Sequence, residues 1–316
     1  MLGIELSIGL ILVLWGADLL ITSSIAIGKK FNVSELLIGI LVIGFGTSLS
    51  ELFVSIDAVL KDASELTLGN IIGSNIANIF LVLGVCGLYT KIIIPKVSAS
   101  DNLYHLFISL LFLFVCFFLK LNVFWGILFI VLFIFYLYKI IRLSKYENSE
   151  STKLEDGFIT RKVFSKPISI GIPVILLSII VTLYGADLTV LSAIEISRIF
   201  NVSESIVGLT LIAFGTSLPE IAAGIASVRK RKFELIVGNI MGSNLYNILL
   251  IIGTSSLFKQ FKYQLENIYY DLIFMNLCVI LFTIFVYKKI SINIIISLIF
   301  LVVYAIYIFY VFQKVF

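Results

Sequence analysis

The chain has 316 residues, of which 60% are hydrophobic and only 13% are charged, and its formal net charge is +4. Its mean hydropathy is +1.13, whereas a soluble domain is nearer half apolar and a quarter charged. Roughly 190 apolar residues are enough for nine or ten membrane spans of about 20 residues each. This composition excludes a soluble enzyme, a nucleic-acid-binding protein and a disordered protein.

The apolar runs predict ten membrane-spanning helices, so the fold class is all-α. The runs are about 20 residues long, which favours helices over barrel strands of about ten alternating residues. In chain order the predicted spans are 3–23, 35–59, 67–88, 103–119, 122–141, 169–191, 204–228, 235–257, 268–286 and 290–312.

The one long polar stretch, residues 143–167, predicts a solvated linker between two five-helix domains, 1–142 and 168–316. With the N-terminus outside, 17 of the 23 Lys and Arg residues fall on the inward-facing connections and 6 on the outward-facing ones. Cytoplasmic loops carry an excess of Lys and Arg. The distribution therefore predicts that both termini lie outside and that the linker is cytoplasmic.

The two halves are copies of each other. Residues 15–51 and 184–220 are identical at 20 of 37 positions at a constant offset of 169, and 69–79 matches 238–248 at 8 of 11. Five spans per copy is an odd number, so the second copy must cross the membrane in the opposite direction. Inverted repeats of this kind are typical of secondary transporters, whose substrate sites lie near the bilayer midplane at the repeat interface.

The repeated segments are also the most polar parts of the spans. Glu51 and Glu220 occupy matching positions within spans, where a carboxylate costs about 2.5–3.5 kcal/mol. The predicted spans that carry them, 35–59 and 204–228, contain no Lys, Arg or His that could neutralise them, so each must take up a proton or a cation. Nearby hydroxyl, amide and carbonyl oxygens suit Ca²⁺, which prefers six to eight oxygen ligands. Smaller overlapping sites would admit Na⁺ in competition, and the absence of soft ligands argues against zinc or copper.

Two other repeated features have simpler interpretations. Gly238 and Gly242, like Gly69 and Gly73, are spaced to let helix backbones approach closely. Asp18 and its counterpart Asp187 lie near predicted span ends, and we expect them to cap helices at the membrane interface rather than bind a cation.

The segments GTSLSE (46–51) and GNIIGSNIANI (69–79), with GTSLPE (215–220) and GNIMGSNLYNI (238–248), resemble the two alpha repeats of the cation/calcium antiporter superfamily, in particular its sodium/calcium exchangers. The resemblance covers the whole ten-span plan. It implies a calcium site formed by Glu51, Glu220, Thr47 and Thr216. It also implies sodium sites that share the two glutamates and add the following residues: Ser48, Ser74, Asn78, Ser217, Ser243, Asn247, Gly44 and Ala213.

Two departures from the family pattern have expected consequences. Ser50 stands where the family usually has proline, which predicts a weaker helix break in the first repeat. Asn78 and Asn247 are both neutral, whereas some sodium- and potassium-coupled relatives have an aspartate at the second position. We therefore expect a lower cation load, and the stoichiometry and potassium dependence stay open.

The leading hypothesis is an antiporter of the cell membrane that expels Ca²⁺ in exchange for Na⁺ by alternating access. The resemblance implies that the first and sixth spans slide across the remaining bundle. We expect the protein to work as a monomer in the lipid bilayer, with Na⁺ and Ca²⁺ as substrates and without a cofactor or nucleic acid. The main alternative is H⁺/Ca²⁺ exchange through the same glutamates; a cation channel and an intramembrane enzyme are further alternatives.

Overall fold

The computed structural model describes residues 2–31, 33–144, 168–199 and 213–315. The described chain is helical throughout apart from short connections, which confirms the all-α prediction. The helices are α1 (Leu2–Phe31), α2a (Glu35–Thr47), α2b (Leu49–Leu60), α3 (Ser64–Tyr89), α4 (Ala99–Phe118), α5 (Val123–Ser144), α6 (Ile168–Ile199), α7a (Ala213–Thr216), α7b (Leu218–Arg229), α8 (Phe233–Phe258), α9 (Leu265–Lys288) and α10 (Ile294–Val315).

Eight described helices are long and apolar enough to cross a membrane, and α2a with α2b makes a ninth as one bent span. The tenth, the predicted span 204–228, begins outside the described residues, and only α7a and α7b belong to its described part. The predicted linker 143–167 also lies outside them, except for its first two residues at the end of α5.

The longest helices, α1 and α6, pack along each other. Small residues make this contact close: a Cβ atom on Gly16 would lie 2.9 Å from the backbone nitrogen of Thr182. Both helices run about two turns beyond the predicted span ends at 23 and 191. The apolar part of α6, Gly171–Ser192, confirms the predicted span end at 191, and α6 continues past it. The predicted end at 23 was too early, because a helix continues into polar sequence that keeps helix-forming residues.

The other helices form a bundle in which each repeat packs against the other. Helix α2a crosses α8, α4 packs on α9, and α5 packs on the last part of α8. A Cβ atom on Gly39 would lie 3.0 Å from the Cα atom of Gly238, and one on Gly44 would lie 3.0 Å from the nitrogen of Ser243. The predicted close approach is therefore confirmed at Gly238 and Gly242 and is wrong at Gly69 and Gly73, where an added Cβ atom would meet nothing within 4 Å. The contacts at Gly238 and Gly242 bring the repeated polar segments of the two copies together. 

The connection that follows the second span of each repeat has the same conformation. Asp62 has a φ angle of 62°, and Arg231, its counterpart at the 169-residue offset, has a φ angle of 53°. Few residues other than glycine adopt this left-handed conformation. The tight turn is therefore a property of both copies.

The expected capping role of Asp18 is wrong. Asp18 lies in the interior of α1, and its carboxylate accepts a hydrogen bond from Lys230, in the connection between α7b and α8, at 2.5 Å. Asp187 lies in the interior of α6 and is exposed. Neither aspartate lies at a helix end, because both helices continue past the predicted span ends, to Phe31 and to Ile199.

Candidate functional site

Two helix breaks define the centre of the bundle. Helix α2 breaks at Ser48, with φ −75° and ψ 4°, and bends by 45° between α2a and α2b. Helix α7 breaks at Ser217, with φ −88° and ψ −2°. Pro219 follows the second break as expected, since proline is tolerated in the first turn of a helix. A broken helix within a membrane is tolerated where its freed backbone groups line a site.

The first repeat breaks at the equivalent position although it lacks proline. Ser50 replaces it, and its hydroxyl lies within hydrogen-bonding distance of the Thr47 carbonyl oxygen, at 3.1 Å, and of the Glu51 Oε2, at 2.9 Å. The hydroxyl can therefore satisfy a carbonyl group that the break has freed. The first span bends by 45° at its break without a proline, and that this break is weaker than the second stays a prediction.

The two motif glutamates both lie in the first turn after a break. Glu51 and Glu220 are each 1% exposed, and their carboxylates are close enough to repel each other. Ser74 on α3 donates to Glu51 Oε1 at 3.5 Å. Neither oxygen of Glu220 has a hydrogen-bond partner, and neither glutamate forms an ion pair within the described chain. Two adjacent carboxylates in this setting require compensation by a cation or by protons.

The polar side chains of α3 and α8 meet through two equivalent contacts. Asn78 Nδ2 donates to Asn244 Oδ1 at 3.0 Å, and Asn247 Nδ2 donates to Asn75 Oδ1 at 2.9 Å. Under the 169-residue offset each contact is the copy of the other. Both helices change to π-helical turns here, at Asn78–Val82 and Tyr246–Ile252. Turns of this type are frequent at functional sites.

A further contact joins α2a to α8. The Thr47 hydroxyl lies 3.4 Å from the Ser243 hydroxyl and donates to Asn239 Oδ1 at 3.4 Å. Ser243 donates to the Gly44 carbonyl oxygen at 3.4 Å. These contacts place groups from both repeats around the first break.

The structure therefore brings most of the expected site residues into one region. Ser48, Thr216 and Ser217 are buried at the two breaks, and Ala213 begins α7a. Three further asparagines, all within the repeated motif but not expected as site residues, contact the expected ones: Asn75, Asn239 and Asn244. Their identity between the repeats was the signal that could have indicated them.

The site offers oxygen atoms without partners. Among the described residues, no three or more His, Cys, Asp or Glu side chains lie where they could hold one metal ion together. The two glutamates would therefore act with neutral oxygens only. The buried atoms that lack a hydrogen-bond partner include Ser48 Oγ, Asn78 Oδ1, Asn247 Oδ1 and both carboxylate oxygens of Glu220. Hard cations such as Ca²⁺ are bound by such oxygens.

The family model of the sodium/calcium exchanger protein matches residues 4–142 and 170–313. The chain belongs to the sodium/calcium exchanger family. It is 34% identical over 261 residues to the inner membrane protein YrbG of Escherichia coli, covering 80% of this chain and 78% of that one. It is 30% identical over 302 residues to the sodium/calcium exchanger MaX1 of Methanosarcina acetivorans, covering 80% and 82%.

The fold agrees with the family. The exchanger NCX_Mj, in a structure soaked with 2.5 mM Na⁺ and 1 mM Sr²⁺, superimposes with a TM-score of 0.82 at 29% identity, covering 98% of both chains. NCX_Mj has ten transmembrane helices in two repeats. The chain is therefore a multi-pass integral membrane protein of a transporter family, not an enzyme.

Proposed function

We propose that the chain exchanges Na⁺ for Ca²⁺ across the cell membrane by alternating access. The observation that carries this proposal is the pair of buried glutamates, Glu51 and Glu220, surrounded by neutral oxygen groups of both repeats. Two carboxylates balance one Ca²⁺, and the surrounding oxygens complete a shell for a hard cation. The names of the relatives MaX1 and NCX_Mj support the same ions.

The proposed calcium ligands are Glu51, Glu220 and the backbone oxygens of Thr47 and Thr216. The proposed sodium sites share the two glutamates and use the following neutral groups: Gly44, Ser48, Ser74, Asn78, Ala213, Ser217, Ser243 and Asn247. Because both ions need the same carboxylates, the full sodium set and Ca²⁺ cannot be bound together. This competition couples the two fluxes.

The proposed architecture follows the repeats. Domains 1–142 and 168–316 are joined by a cytoplasmic linker at 143–167, with both termini outside. We place the protein in the cell membrane, consistent with the relative named as an inner membrane protein. One chain supplies both glutamates, so a monomer is sufficient for exchange. The packing of α1 along α6 suits a unit that slides as one body across the bundle.

Transport by purified protein in liposomes tests the proposal. Ca²⁺ uptake is measured with ⁴⁵Ca²⁺ against an outward Na⁺ gradient, a pH gradient or neither, with protein-free liposomes as the control. We expect uptake only with the Na⁺ gradient. Uptake driven by the pH gradient alone would support H⁺/Ca²⁺ exchange instead, and uptake without either gradient would indicate a channel.

A further inference from the structure

We infer that Asn75 and Asn244 are positioning residues that turn the side-chain oxygens of Asn247 and Asn78 toward the transported cation. This inference rests on the proposed function. The side-chain amide of asparagine carries a donor nitrogen and an acceptor oxygen at nearly equivalent positions. Only the oxygen can bind a cation, so a cation site built from asparagine needs something that sets the orientation.

The crossed hydrogen bonds set that orientation in both repeats. Asn244 Oδ1 accepts from Asn78 Nδ2 at 3.0 Å, and Asn75 Oδ1 accepts from Asn247 Nδ2 at 2.9 Å. All four side chains are at most 1% exposed. With the nitrogens occupied, Asn78 Oδ1 and Asn247 Oδ1 are left buried without partners.

The neighbouring groups show where these oxygens belong. Asn78 lies one turn after Ser74, and residues four apart share a helix face. Ser74 contacts Glu51. The oxygen of Asn78 therefore lies on the side of α3 that faces the glutamates, and the 169-residue repeat gives Asn247 the same place on α8. 

A double-mutant cycle tests this role. Asn75→Leu removes the acceptor for the Asn247 amide, and we expect the Na⁺ concentration for half-maximal Na⁺-driven Ca²⁺ uptake to rise about tenfold with little change in the maximal rate. In an Asn247→Asp background both side-chain atoms are oxygens and need no orientation, so Asn75→Leu is expected to change the Na⁺ half-saturation less than twofold. In an Asn78→Asp background the tenfold effect is expected to remain.

The reciprocal cycle is the matched control, because Asn244→Leu should be suppressed by Asn78→Asp and not by Asn247→Asp. For any variant that inserts but does not transport, Na⁺-dependent thermal stabilisation in detergent gives the same comparison. If a leucine variant does not insert, Asn75→Ser replaces it. Equal effects in both aspartate backgrounds, or none, would overturn the positioning role. Failure of the proposed function is distinct, since the unmodified protein would then show no Na⁺-driven Ca²⁺ uptake.

A different observation carries a second inference. We propose that the ion pair Asp18–Lys230 and its counterpart Asp187–Lys61 form in alternation, one in each of the two access states. Both pairs have the same 169-residue offset, so the inverted repeat places them at opposite ends of the bundle. This proposal rests on alternating access and is independent of the identity of the ions.

Only one of the pairs is formed in the structure. Lys230 bonds to Asp18 at 2.5 Å, and both side chains are about one-third exposed. Lys61 instead bonds to Asp57 at 2.6 Å, and its side chain is 71% exposed. Asp187 forms no ion pair with any described residue.

Helix packing differs in the same way at the two ends. Val13 and Ala17 of α1 pack in one cluster with Leu218 and Ala222 of α7b. The equivalent helices, α6 and α2b, have little contact among the described residues. The contact between α1 and α7b therefore closes the bundle at the end that holds Asp18–Lys230, whereas the described residues of α6 and α2b make little equivalent contact at the end that holds Asp187 and Lys61.

Sliding of α1 and α6 as one unit would break the contact of α1 with α7b and form the equivalent contact of α6 with α2b. As α1 leaves α7b, Asp18 moves away from Lys230, and as α6 approaches α2b, Asp187 comes within reach of Lys61. Asp57 holds Lys61 until then; its counterpart in the second repeat is Ala226, which cannot hold Lys230 in the same way. Exposed ion pairs contribute little individually, so we expect them to bias the two states rather than lock them.

Cross-linking tests the alternation, in a background where the three buried cysteines, Cys86, Cys116 and Cys278, are replaced by alanine. One variant carries Asp18→Cys with Lys230→Cys, another carries Asp187→Cys with Lys61→Cys, and a short reducible bis-thiosulfonate links the thiols. We expect each pair to be linked in membranes, to stop transport when linked and to recover on reduction. In a four-cysteine variant, the first link should prevent the second.

The control variant, Asp18→Cys with Lys61→Cys, joins opposite ends of the bundle and should give no link. Either single change, Asp18→Lys or Lys230→Asp, is expected to lower the transport rate two- to fivefold. The double change exchanges the two charges and should restore the rate. The alternation is wrong if Asp187 and Lys61 never link while Asp18 and Lys230 do, or if both links form in one molecule.

Discussion

The two repeats share a local structure and differ in packing. Both break at a motif serine, Ser48 or Ser217, and both form a tight turn with a positive φ angle after the broken span. Yet Ala222 on α7b is 3% exposed under α1, whereas its counterpart Phe53 on α2b is 66% exposed. Corresponding segments of the two repeats therefore share a backbone conformation but have different neighbours, and among the described residues only the contact between α1 and α7b is closely packed.

The largest expected effect comes from the groups that the repeats share most closely. Glu51→Gln or Glu220→Gln removes one of the two buried charges, and we expect Na⁺-driven ⁴⁵Ca²⁺ uptake to fall at least about 100-fold, because the oxygen shell then balances only half the charge of Ca²⁺. Glu65→Gln, which changes an exposed acid outside the site, is the control and should retain uptake. Retained transport in both site variants would show that the site is elsewhere.

The packing difference is tested by exchanging the residues of the two repeats. Ala222→Phe inserts a ring into a filled contact, and we expect it to lower the free energy of unfolding by about 1–3 kcal/mol. Phe53→Ala removes an exposed ring and is expected to change it by less than about 0.5 kcal/mol. Thermal unfolding in detergent compares the two variants. If the two variants changed the free energy of unfolding by similar amounts, the faces of α7b and α2b would be equally covered, which would contradict the structure.

Ser50→Pro makes the first repeat match the second. Proline is tolerated near the start of α2b, so we expect the protein to fold and transport. The change removes the hydroxyl that contacts Glu51 and the Thr47 carbonyl oxygen. Both oxygens become free for the cation, so Ca²⁺ half-saturation is expected to fall several-fold, since about 1 kcal/mol per hydrogen bond corresponds to that ratio. Weaker Ca²⁺ binding, measured by the same uptake assay, would instead make Ser50 a ligand.

The smallest expected effect concerns the turn residues Asp62 and Arg231. Lys259 donates to the Asp62 carboxylate at 2.9 Å and lowers its pKa below the ordinary value of 3.8. A lowered pKa means that the ion pair stabilises the protein above pH 4 and that this contribution is lost as the pH falls through the lower folded value. Asp62→Asn should therefore slightly lower the melting temperature at pH 7 and lower it less near pH 3. An equal fall at both pH values would exclude the ion pair as its cause.

Much of the candidate site could be predicted because its residues repeat. Glu51 and Glu220 were identified from their place in apolar spans, and the structure brings them together. Their roles as ligands stay predictions. The orienting asparagines, Asn75 and Asn244, were overlooked because their partners lie more than 160 residues away in sequence. Asp18 was misinterpreted because a hydropathy run does not show how far a helix continues past the bilayer.

The sequence by itself determined the number and order of the predicted spans, the inverted relation of the repeats and the positions of the polar motifs. These depend on composition, apolar run length and repeat offset, which are local or periodic properties. Only the tertiary structure decided that Lys230 reaches Asp18, that the asparagine contacts cross between repeats and that one end of the bundle is closed. Such contacts depend on how helices pack across the two repeats, and corresponding segments with similar backbones pack against different neighbours in the two copies.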